Sequence, residues 1–127
     1  MRLFFAFLVA AALLSPSLAE ARPAPEVTMT KLYSQLRLLC ETEDAVERSQ
    51  REATVHAGSE RGSAAQGRAA AKLEELGSLK QRLERMVDRY ISDRQAKWHA
   101  TKDVAVRIGL EDDILKANAL VSGGCDD

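Results

Sequence analysis

The sequence predicts an all-α protein: an antiparallel helical hairpin extended to a three-helix, coiled-coil-like bundle. Three observations carry this. No proline occurs after Pro25, so nothing in the body of the chain obliges a helix to break. Ala, Leu, Glu, Lys, Arg and Gln dominate the same stretch, and these residues lose least freedom in a helix. Strand-like alternation is confined to Val104-Ala105-Val106-Arg107-Ile108.

The N-terminal residues read differently. Arg2 precedes an unbroken apolar run of 12 residues, Leu3 to Leu14, which contains all three Phe residues of the chain. Ser15-Pro16 breaks any helix there, and Ser17-Leu18-Ala19 places small residues at alternate positions, as signal peptidase requires. Residues 1–19 are therefore expected to be a signal peptide cleaved after Ala19. The run is too short to cross about 30 Å of hydrocarbon, which takes roughly 20 helical residues. An uncleaved anchor extended through Ala21 is the competing reading. Residues 20–27, with Pro23 and Pro25, read as an extended linker, and residues 28–127 as one helical-bundle domain. The expected setting is secreted or extracytoplasmic (extracellular, cell surface or periplasm), with no stable membrane span after cleavage.

Within the domain, Met29, Leu32, Leu36, Leu39 and Val46 advance by 3, 4, 3 and 7 residues and predict a first helix over 28–57. Its half from Glu41 to Glu52 is strongly charged. Gly58 to Ser63 interrupts the pattern with two Gly and two Ser, and Ser63 followed by Gln66 fits a capping box for the second helix. That helix carries the clearest seam in the chain: Leu76, Leu79, Leu83, Met86 and Tyr90, at steps of 3, 4, 3 and 4. Leu73, Val87 and Ile91 widen it. Past Trp98 the pattern fades; Ser92 and Thr101 are candidate starts and Gly109 a candidate stop. Ile108, Leu110, Ile114, Leu115, Ala117 and Val121 then predict a third helix over 103–121.

The two cysteines, Cys40 and Cys125, suit an oxidising compartment. In an up-down-up bundle the third helix runs parallel to the first, so its tail can return beside Cys40. A single intramolecular bond would close an 85-residue loop. The alternative is a free Cys40, with Cys125 pairing to another chain.

The formal net charge of −1 gives no global field for polyanions. Charge is organised locally instead. Lys80 to Arg107 is basic on balance, whereas Glu41, Glu43, Asp44 and Glu47 are acidic. Folding about residue 60 predicts Glu41 beside Lys80 and Arg37 beside Glu84. Arg82, Arg85, Arg89 and Arg94 form a partial basic stripe, broken by Glu84, Asp88 and Asp93; it reads as a solvated face, so no nucleic-acid partner is expected.

Chemistry is sparse. His56 and His99 belong to separate helices, and no metalloprotease, nucleophile-elbow or phosphate-loop motif occurs. His99 with Asp103 supplies at most half a metal site. Glu111-Asp112-Asp113 reads as acids in the first turn of a short helix, where the helix dipole favours them. The chain is expected to be no enzyme and to use no cofactor or metal. Trp98, the single Trp, either closes the bottom of the bundle or stands exposed as a partner anchor. The functional expectation is an exported, non-enzymatic protein-interaction or surface module, whose partner is another protein or a second copy. A periplasmic holdase-type chaperone and an envelope-associated structural coiled coil are the alternatives.

Overall fold

The computed structural model describes residues 26–125, which form three helices: α1 (Met29–Val55), α2 (Glu60–Ala100) and α3 (Val104–Gly123). No strand occurs among the described residues. The signal-peptide reading and all of the linker before Glu26 lie outside them.

α1 begins where Thr28, in an extended conformation, accepts a hydrogen bond at its hydroxyl from Lys31 N (3.2 Å). It ends at His56, and Gly58 turns the chain with a φ of +83° that side-chain-bearing residues rarely adopt. The next cap is Ser59 rather than Ser63. Its hydroxyl donates to His56 O (2.6 Å) and accepts from Gly62 N (3.2 Å), so one side chain closes both ends of the turn. Gly62 is required there because a Cβ would collide with the His56 carbonyl. What reads as six linker residues is a shorter turn, with its second half already helical.

α2 runs unbroken for 41 residues through Ser92 and Trp98. Thr101-Lys102-Asp103 makes the second turn. The Asp103 carboxylate caps α3 by accepting from Ala105 N (3.0 Å) and Val106 N (3.4 Å). Gly109 is an interior residue of α3 and stops nothing. Because α3 starts at Val104, Glu111 to Asp113 fall beyond its first turn, out of reach of the dipole's amide end.

α2 folds back along α1; α3 returns along α2 and touches α1 only briefly. Their shared core is Leu32, Leu39, Leu76, Leu79, Leu83, Val87, Tyr90, Ala117 and Leu120. Of the expected seam, Met86 sits at the edge, partly buried, while Val87 goes inside at 3% exposure. Leu73, expected to widen the seam, is half exposed. The Cys40–Cys125 disulfide, with Cα atoms 5.4 Å apart, ties the end of α3 to the middle of α1.

Beyond that bond the hairpin continues as two helices. Its seam there is narrow, built from Val46, Ala53, Gly62, Ala65 and Ala69. Arg61 and Arg68 both reach Glu52, at 3.1 Å each, across the hairpin. The expected Glu41–Lys80 and Arg37–Glu84 pairs are not among the described ion pairs. Arg37 instead meets Glu41 at 3.4 Å, one turn away on its own well-exposed helix face. A neighbour on the same helix needs less side-chain ordering than one across the groove.

Candidate interaction surface

The corner where α2 passes into α3 holds the densest polar constellation. Arg94 lies at its centre with only 17% of its side chain exposed. Its guanidinium stacks over the Tyr90 ring at 4.7 Å and approaches Asp93 (3.5 Å), Asp113 (3.7 Å) and Glu26 (4.0 Å). Tyr90 and then the Asp113 and Asp93 carboxylates hold Arg94 above its usual value, against the loss of hydration. Lys97 joins the same group through Asp93 (3.2 Å) and Glu26 (3.5 Å). One largely covered arginine thus ties the N-terminal segment, α2 and α3 together.

Trp98 is the second element of the corner. Its indole N–H donates to Glu111 (3.2 Å), Arg107 stacks on its ring at 4.1 Å, and His99 meets its edge at 5.2 Å. Arg107 is itself fixed by donating to Thr101 O (2.9 Å). The ring is partly buried, its hydrogen bond satisfied and one face covered. It clamps the corner; it does not project as a bare anchor. A shallow cleft of about 150 Å³ beside it is lined by Gln95, His99, Glu111 and Ile114.

α3 itself presents two apolar faces. Leu110, Ala117 and Leu120 are buried against the bundle. Ile108 precedes Leu110, and Leu115 precedes Ala117, by two residues, about 200° around a helix, so these pairs point to opposite sides. Ile108 and Leu115 are 60% and 68% exposed, and Val104, one turn before Ile108, is 69% exposed. The three form one outward stripe with nothing described against it. The reading of α3 as simply amphipathic was incomplete. Its signal was in the sequence, since residues 108 and 110 cannot share a face.

Among the described residues no three His, Cys, Asp or Glu side chains gather as metal ligands, and no helix is long and apolar enough to cross a membrane. His99 points to Trp98 and Asp103 to the α3 amides, so each member of that pair has a structural partner. No protein family, curated protein or solved structure matches the chain.

Sequence reasoning missed Arg94, which it placed in a solvated stripe. Position 94 lies one helical turn past Tyr90 on the same side of α2, and that spacing was the available signal.

Proposed function

We propose that this chain is an exported protein-interaction module whose principal contact surface is the outer face of α3. The observation that carries the reading is the Val104, Ile108 and Leu115 stripe. Three β- or γ-branched residues held in water on a capped, disulfide-tied helix form a preorganised surface of the kind that partner proteins cover. Their spacing of four and seven residues suits a helix laid against another helix or in a groove. Export is supported by the sequence of residues 1–19 and is compatible with the disulfide. Trp98, Arg107 and Glu111 fix the helix that bears the stripe.

The test is a triple replacement, V104S/I108S/L115S, compared with wild type by circular dichroism, sedimentation and photo-crosslinking in the native compartment. The expected result is unchanged helicity and melting with loss of one specific crosslinked protein or of self-association. Retention of the same partner by the triple variant would remove the stripe from the interface. Suppression of aggregation of unrelated unfolded clients, abolished by the same variant, would favour the holdase alternative.

A further inference from the structure

Elsewhere on the described surface most arginines have an occupation. Arg37, Arg61, Arg68 and Arg94 meet carboxylates, Arg107 covers Trp98, and Arg48 and Arg51 line a cleft with Glu41, Asp44 and Glu47. Arg82, Arg85 and Arg89 differ. None forms an ion pair among the described residues, and all three line one open cleft of about 510 Å³ with Val27 and Met86. Among the described residues no carboxylate lines that cleft. Glu84 and Asp88, which interrupt the stripe in sequence, do not line it, and Arg94 turns inward to Tyr90 and Asp113.

We propose that Arg82, Arg85 and Arg89, with Val27 and Met86 as an apolar floor, are a docking cleft for an acidic amphipathic helix of a partner protein. Steps of three and four residues place the guanidiniums over about 10 Å along α2, the spacing of carboxylates at i, i+3 and i+7 on a facing helix. Guanidinium forks favour carboxylate geometry. Val27 and Met86 are partly buried against the core, so an apolar side chain of the ligand would find a supported but adaptable floor. That floor distinguishes a peptide from a sulfated glycan or free phosphate, which have nothing apolar to place there. Three charges flanked by acids, with Tyr90 buried, give a nucleic acid neither a long basic track nor a stacking platform. The cleft is a different surface from the α3 stripe, so either assignment can fail alone.

The experiment uses the full oxidised chain and a fluorescein-labelled helical peptide carrying Glu at i, i+3 and i+7 with Leu between them, titrated by anisotropy. Binding should weaken as salt rises, fall about tenfold in R82S/R85S/R89S, and persist in R48S/R51S. R82K/R85K/R89K keeps the charge and the fold and should bind several-fold less tightly than wild type, because the fork is lost. Equal affinity for wild type and both triple variants overturns the proposal. So does preference for heparin, duplex DNA or phosphatidylserine vesicles over the peptide.

Discussion

The lower half of the bundle and its upper half are made from the same two helices, yet different forces hold them. Below Cys40, α3 completes a core of Leu, Val and Tyr, with a disulfide and the Arg94 cluster on its margins. Above it, among the described residues, α1 and α2 pack only on each other. Val46, Ala53, Ala65 and Ala69 bury little apolar area, and the charged flanks contribute about 0–1 kcal/mol per exposed pair. Small residues let two backbones come close, as Gly62 does beside His56, but cannot replace a third helix. The lower half is thereby the rigid platform, and both proposed contact surfaces lie on it. The upper half is a charged arm, closed at its tip by Ser59.

The disulfide is the strongest expected asymmetry. On the chain-entropy model a loop of this length contributes at most about 4–5 kcal/mol. Cys125→Ser should lower the melting temperature sharply, leave helicity in place, and loosen the end of α3 more than the arm. Unchanged melting would mean that α3 is held by packing alone.

Leu83→Ala should come next, at about 3 kcal/mol, because Leu83 is 5% exposed inside the three-helix core. Val46→Ala removes less volume from the two-helix seam, so its cost should be smaller and confined to the arm. Urea titrations of the two variants check this, and equal losses would erase the distinction.

The smallest expected effect is that of pH on the arm. Hydrogen bonding from Arg61, with the charges of Arg68 and Arg61, holds the Glu52 carboxyl below its usual value of 4.5. A depressed carboxyl stabilises the fold above the unfolded value, and that contribution is lost as pH falls through the folded one. Protection factors of amides near the tip, taken relative to the intrinsic exchange rate at each pH, should therefore fall on acidification below about 4.5. Glu52→Gln should remove the dependence, and a wild type with the same flat profile would show that the pair is idle.

Much of this division was legible in the chain. The 3-4 seam from Leu76 to Tyr90 and the Gly58 turn follow from local spacing, and Cys40–Cys125 is the one intramolecular pairing that two cysteines allow. Less legible was whatever depends on where two helices stop relative to each other. The register that sends Arg94 under α3, and gives Glu52 rather than Glu41 the cross-hairpin pairs, is set by how tightly the Ser59 turn closes. The two-faced character of α3 was visible as spacing, but which face the bundle would bury was not. That choice is made by Asp103, Trp98 and the disulfide together.

Native-state hydrogen exchange on the intact oxidised protein tests the two-region description most directly. Amides of α1 from Leu32 to Leu39 and of α2 from Leu79 to Tyr90 should exchange only with global unfolding. Amides from Thr42 to Val55 and from Gly62 to Lys72 should exchange through local openings of lower free energy. Equal protection along both stretches would contradict it, and would mean that the two-helix arm is as firmly held as the three-helix base.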